Sequence, residues 1–96
     1  MRIRSFRHKG LRRLYETGSR RGIRPDLVEK LEDILHAIEQ SQRVEQIGLF
    51  PGWRLHPLKG DRTGEWSVWV TGNYRLTFGV DGENVENIDL EDYHRR

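Results

Sequence analysis

Tyr74-Arg75-Leu76-Thr77-Phe78-Gly79-Val80, followed directly by Asp81-Gly82, is the stretch that decides the fold class. Successive side chains of a strand point to opposite faces, so Tyr74, Leu76, Phe78 and Val80 share one apolar face and Arg75 and Thr77 turn to the other. Asp-Gly suits the tight turn of a β-hairpin. The next strand, expected from about Asn84 to Leu90, therefore runs back antiparallel. Upstream, Glu65-Trp66-Ser67-Val68-Trp69-Val70 alternates in the same way, with Trp66, Val68 and Val70 on the apolar face. Thr71-Gly72-Asn73 supplies the turn between these two strands.

Before Trp53 the period of the apolar residues is helical. Arg2 to Phe6 reads as a short strand with Ile3 and Phe6 as core contacts, and Leu11, Leu14 and Tyr15 then mark a helix from His8 to Thr17, stopped by Gly18. Gly22-Ile23-Arg24-Pro25 is a turn, and Pro25 suits the first position of the next helix. Leu27, Leu31, Ile34, Leu35 and Ile38 form one stripe of that helix, opposite Glu29, Lys30, Glu32, Asp33 and Glu39. It is expected to end by Gln40–Ser41. Val44 and Ile47 then share a short helical turn stopped by Gly48, and Leu49 and Phe50 are expected to plug the core. The order is strand, two helices, then three or four hairpin-linked strands. That is an α+β domain, with two N-terminal helices on one face of a small, mostly antiparallel twisted sheet.

Ninety-six residues make one domain, 1–96, with no room for a second core. The absence of cysteine rules out disulfides and thiolate metal sites. Residues 1–7 lack the apolar stretch of a signal peptide and no run is long enough to span a bilayer, so a soluble, cytoplasmic protein without membrane partners is expected. The net charge of +2 hides a segregation. Residues 1–24 carry nine Arg or Lys against Glu16 alone, whereas residues 25–50 and 81–96 each carry six acids against two bases. One basic face toward a polyanion and an acidic face turned elsewhere is the expected consequence. Fourteen of the 17 cations are arginine, whose planar fork suits phosphate.

Chemistry concentrates in Leu55-His56-Pro57-Leu58-Lys59-Gly60-Asp61 and in Glu91-Asp92-Tyr93-His94, with Arg75 between them. Two imidazoles serve as general acid and general base near neutral pH. Lys59 and Arg75 add the fixed positive charge that a phosphate gaining negative charge requires. Each part has a bland reading of its own: His56 capping a loop carbonyl, Lys59-Gly60-Asp61-Arg62 an ordinary charged turn, His94 decoration near the chain end. His8 and His36 have no such company, and His36 falls on the solvent side of its helix. His56, His94 and Asp92 are possible metal ligands, but Lys59 and Arg75 would repel a cation, so no metal is expected. Ser67 has no nucleophile-elbow context.

These segments resemble the HigB branch of the RelE/ParE superfamily of bacterial toxin–antitoxin systems. The resemblance runs from Ile3–Leu11 through Leu55–Arg62, Trp66-Ser67-Val68 and Tyr74–Phe78 to Glu91-Asp92-Tyr93-His94. It implies a RelE-like, microbial-ribonuclease-like fold and a ribosome-dependent messenger-RNA endonuclease without cofactor. It also implies a helix-turn-helix antitoxin of the HigA type as partner, with operator DNA reached only through that complex.

Under the resemblance the expected catalytic residues are His56, Lys59, Arg75, Asp92, Tyr93 and His94. Either histidine takes the 2′-hydroxyl proton while the other protonates the leaving oxygen, and Asp92 orients an imidazole or acts as base. Arg75 and Lys59 steady the phosphate, and Tyr93 stacks on a base or donates a hydrogen bond. Lys9, Arg12, Arg13, Arg20, Arg21, Arg54 and Arg62 are the expected contacts to ribosomal-RNA phosphates on the 70S ribosome, and the acids of the second helix and last strand are expected to face away from RNA or toward the antitoxin. Thr71-Gly72-Asn73 lacks the arginine that would reinforce the site, which places more of the phosphate stabilisation on Arg75. Three other readings stay open: a gyrase-poisoning toxin of the ParE kind, a non-enzymatic RNA- or ribosome-binding module, and an inactive relative kept for autoregulation.

Overall fold

In the computed structural model, which describes residues 1–92, the chain runs β1 (Arg2–Ile3), α1 (Lys9–Thr17), α2 (Val28–Gln40), β2 (His56–Pro57), β3 (Glu65–Trp69), β4 (Tyr74–Asp81) and β5 (Asn84–Asp92). The strands form one sheet in the order β1-β5-β4-β3-β2. All neighbours are antiparallel except β1 and β5, which run parallel. The first strand is shorter than its sequence suggests. Phe6 makes only an isolated bridge to Ile88.

Both helices pack on one face of the sheet. α1 begins where the His8 ring accepts the Leu11 amide at 3.1 Å, and it ends at Gly18, whose φ of 76° is the left-handed conformation that glycine adopts without steric cost. Gly10 is needed for a different reason: a Cβ there would lie 2.9 Å from the Gly22 carbonyl oxygen, so α1 packs against the following turn only through a residue without a side chain. Pro25–Leu27 forms a single 3-10 turn that leads into α2. The whole apolar stripe from Leu27 to Ile38 is buried, joined by Val28 and Ala37. The Tyr15 hydroxyl donates to Glu39 at 2.5 Å and ties the two helices together.

The sheet contributes Val68, Leu76, Phe78, Val85 and Ile88, all fully buried beneath the helices. In β5 the inward residues Val85, Ile88 and Leu90 do not keep a strict period of two. The reason is a bulge: three residues of β4, from Thr77 to Gly79, oppose four of β5, from Glu86 to Asp89. Asn87, with φ of 56°, takes the left-handed turn that asparagine tolerates better than most residues, and its amide is held by Ser5 Oγ at 2.9 Å. The extra residue reverses the phase of the strand. Leu90 therefore faces the helices opposite Leu76, and Glu91 faces the open side opposite Arg75.

One core expectation is corrected. Leu49 is 79% exposed and Phe50 42% exposed, so neither plugs the core. Val44–Leu49 is a 3-10 turn whose three-residue period spends its inward positions on Val44 and Ile47. Phe50 instead stacks flat on Trp53, with ring centroids 4.3 Å apart, and Trp53 is the ring that is buried. The packing has a direct consequence for mutants. Phe78→Ala, which empties the centre of the sheet's buried face, is expected to cost about 3–5 kcal/mol. Leu49→Ser is expected to stay within about 0.5 kcal/mol of the parent, since its side chain is already in solvent. Urea unfolding of both variants checks the contrast.

Candidate active site

The face of the sheet that the helices leave open carries cross-strand rows fixed by register. His56 pairs with Ser67 and Ser67 with Thr77, while Trp69 pairs with Arg75 and Arg75 with Glu91. Arg54, His56, Ser67, Trp69 and Arg75 line a pocket of about 180 Å³.

His56 is placed by the first strand pairing after Trp53. Its Nδ1 lies 3.2 Å from the Arg54 carbonyl oxygen, which accepts only, so the ring sits ready to donate from Nδ1 and to keep its lone pair on Nε2. Ser67 Oγ is 3.3 Å from both ring nitrogens and packs against the ring, its contact shared between them. Arg54 has a φ of 51°, uncommon for a residue with a side chain. Its guanidinium lies over the Trp69 ring, 5.5 Å from the centroid, as does the Lys30 ammonium.

Arg75 is half-buried, and its Nε and Nη2 both donate to Glu91 Oε1, at 3.3 and 3.1 Å. Arg62 reaches the same carboxylate from the 3-10 turn Gly60–Arg62. Its Nη1 donates to Oε1 at 3.1 Å and its Nη2 to Oε2 at 2.6 Å, and Nη2 also bonds Glu65 at 2.8 Å. The buried Thr77 hydroxyl completes the set, donating to Oε2 at 2.7 Å. The Arg62 hydrogen bonds, then those from Thr77 and Arg75, hold the Glu91 carboxyl down to about 2 against the opposing effect of burial. Glu91 and Glu65 in turn raise Arg62 above its ordinary range.

The sequence-derived candidates divide accordingly. His56 and Arg75 share the pocket, with Arg54 on its wall. Lys59 is exposed at the head of the 3-10 turn and does not line it. Asp92 pairs with Tyr74, which puts it one position out of phase with Glu91, on the side that Leu76 and Leu90 turn toward the helices. Tyr93 and His94 lie outside the described residues. Lys9, Arg12, Arg13, Arg20 and Arg21 are exposed, as the charge pattern implies. Arg62 is not a solvent-facing cation like these, because Glu65 and Glu91 engage it. Two residues escaped the sequence reading. The sequence offers Ser67 only as a strand residue without nucleophile-elbow context, and Glu91 only as the neighbour of Asp92 in an acidic strand expected to face away from RNA or toward the antitoxin.

The fold recurs in bacterial toxins. Solved structures similar to this chain include a YoeB/ParE toxin from Agrobacterium tumefaciens, 21% identical over 96% of this chain and 98% of that one, with a TM-score of 0.60. They also include the YoeB dimer from Staphylococcus aureus, 19% identical over 99% and 98% of the two chains, with a TM-score of 0.61. The YoeB–YefM complex from the same organism gives 17% identity over 95% and 97%, with a TM-score of 0.60. At these identities the likeness concerns the fold. The sequence itself goes further. Residues 4–94 match the family described as the RelE-like toxin of the type II toxin–antitoxin system HigB, and the chain is 39% identical to the endoribonuclease HigB of Proteus vulgaris over 92 residues, covering 96% of this chain and 99% of that protein. The chain belongs to the HigB-like toxin family, and an antitoxin is the partner that such a family implies.

The Glu91 cluster makes a pH prediction. A carboxyl held at about 2 in the fold, against an ordinary 4.5, contributes its stabilisation in full above about pH 5 and loses it as the pH falls toward 2. The difference in urea midpoint between the wild type and Glu91→Gln is therefore expected to be largest near neutrality and to shrink below about pH 4.

Proposed function

We propose that this toxin is an endoribonuclease that cuts messenger RNA in the decoding site of the 70S ribosome, by acid–base catalysis without a metal ion. The observation that carries the reading is the pocket in which His56, with its Nδ1 against a backbone carbonyl, shares a wall with Arg75. The name of the Proteus vulgaris relative supports endoribonuclease activity.

The 2′-hydroxyl oxygen of one nucleotide attacks the adjacent phosphorus. Its proton passes to one imidazole, His56 or His94, and the P–O5′ bond breaks as the other imidazole protonates the departing 5′-oxygen. The products are a 2′,3′-cyclic phosphate and a free 5′-hydroxyl, so atoms and charge balance with no water consumed. Arg75 and Lys59 meet the charge that grows on the phosphate oxygens. Tyr93 stacks on a base or donates a hydrogen bond. Asp92 orients an imidazole or acts as base.

Lys9, Arg12, Arg13, Arg20, Arg21 and Arg54 are proposed to contact ribosomal-RNA phosphates, which makes binding fall steeply with added salt. Arg62 contributes to the same field while held by acids. A helix-turn-helix antitoxin of the HigA type neutralises the toxin, and operator DNA is bound only through that complex. The compartment is the cytoplasm, where ribosomes and messages are. No helix of the described residues is long and apolar enough to cross a membrane.

Mapping 5′ ends after incubation with programmed ribosomes, and with naked message, tests the proposal. Codon-spaced cuts that require ribosomes and persist in EDTA are expected. His56→Ala and His94→Ala should each lower the rate by about 10²–10⁴-fold with the fold intact. Wild-type rates in both variants would remove the histidines from the chemistry. Intact message beside trapped gyrase–DNA breaks would point to a gyrase poison instead, and ribosome binding without cleavage to a non-enzymatic module.

A further inference from the structure

The mechanism above leaves Glu91 without a task, yet its carboxylate is densely hydrogen-bonded among the described residues of the open face. Its carboxylate accepts five, from Arg62, Arg75 and Thr77, at 2.6 to 3.3 Å. It does not line the His56 pocket, so it reaches the reacting phosphate only through another residue.

We propose that Glu91 is a positioning residue, whose carboxylate fixes the Arg75 guanidinium on the wall of the His56 pocket and draws Arg62 aside. The inference rests on the endonuclease reading and adds to it a residue that the acid–base scheme does not contain.

The geometry is specific. Glu91 and Arg75 are direct cross-strand partners, so the backbone register sets their approach. Arg75 spends its Nε/Nη2 edge on Oε1, which turns the other edge of its fork, Nη1 with Nη2, away from Glu91. Thr77, fully buried below, pins Oε2 and leaves the carboxylate little freedom to rotate. Arg62 closes the arrangement from the 3-10 turn and is itself balanced by Glu65. Two guanidinium and two carboxylate charges cancel within this group. A bare pair of arginines would attract any polyanion, whereas this arrangement trades raw attraction for a guanidinium held in one orientation. Orientation is what a transition state rewards, because a misplacement of about 1 Å costs about 10²-fold in rate.

The test compares wild type, Glu91→Gln, Arg75→Ala and the double variant, all as full-length toxin, in message cleavage on programmed ribosomes with ribosome concentration varied. Glu91→Gln is expected to lower kcat by about 10²-fold, while KM stays at or below the wild-type value, since removing a negative charge does not weaken attraction to RNA. In the Arg75→Ala background the same change is expected to add nothing, because the two residues act as a unit. Equal losses in both backgrounds would mean that Glu91 does not act through Arg75. A second readout needs no catalysis: the Arg75 Nε–H order parameter from NMR should be high in the wild type and fall in Glu91→Gln. An inactive wild type would retire the endonuclease reading itself. An active wild type whose Glu91→Gln variant keeps both its kcat and an ordered Arg75 would retire only the role given to Glu91.

Discussion

The carboxylate of Glu91 is bound by Arg62 from the segment between β2 and β3, by Arg75 and Thr77 from β4, and lies itself on β5. One side chain thus joins three segments across the open face. Such clusters are stable only when every charge and lone pair finds a partner, because an unpaired charge in a partly desolvated position is costly. Here the condition is met, and among the described residues no buried side-chain polar atom lacks a hydrogen bond. The pocket beside it inherits that order: Arg75 belongs to both the cluster and the pocket wall, so the acid that binds it also fixes how its guanidinium sits in that wall.

The position of Glu91 depends in turn on the bulge at Asn87. Without the extra residue, alternation from Val85 would send Glu91 toward the helices and Asp92 to the open side, so the bulge chooses which of two adjacent acids meets the arginines. The same shift lets Val85, Ile88 and Leu90 all face the core despite irregular spacing. A single left-handed asparagine, tied to Ser5, therefore couples core packing to the electrostatics of the opposite face.

Membership in the HigB-like toxin family and the fold shared with YoeB-type toxins agree with this division of labour. The helices and the inner face of the sheet carry stability, and the outer face carries charge, an imidazole and an indole flanked by cations. Small domains have little core to spare, and confining these polar side chains to one face leaves the other free for packing.

Periodicity alone determined the α2 stripe, the Tyr74–Val80 alternation, the Asp81-Gly82 turn and the placing of two helices on one sheet face, because burial writes its period directly into the order of apolar and polar residues. The sequence also brought out His56 and Arg75, by residue type and company rather than by period. It misjudged Leu49 and Phe50, since a 3-10 turn and an aromatic stack decide their exposure from outside their own neighbourhood. It did not show that Glu91 meets two arginines or that acids engage Arg62. Those depend on the phase of a strand after a bulge and on which distant side chains meet across it. A linear pattern holds no record of either, because both are fixed only when separate segments pair.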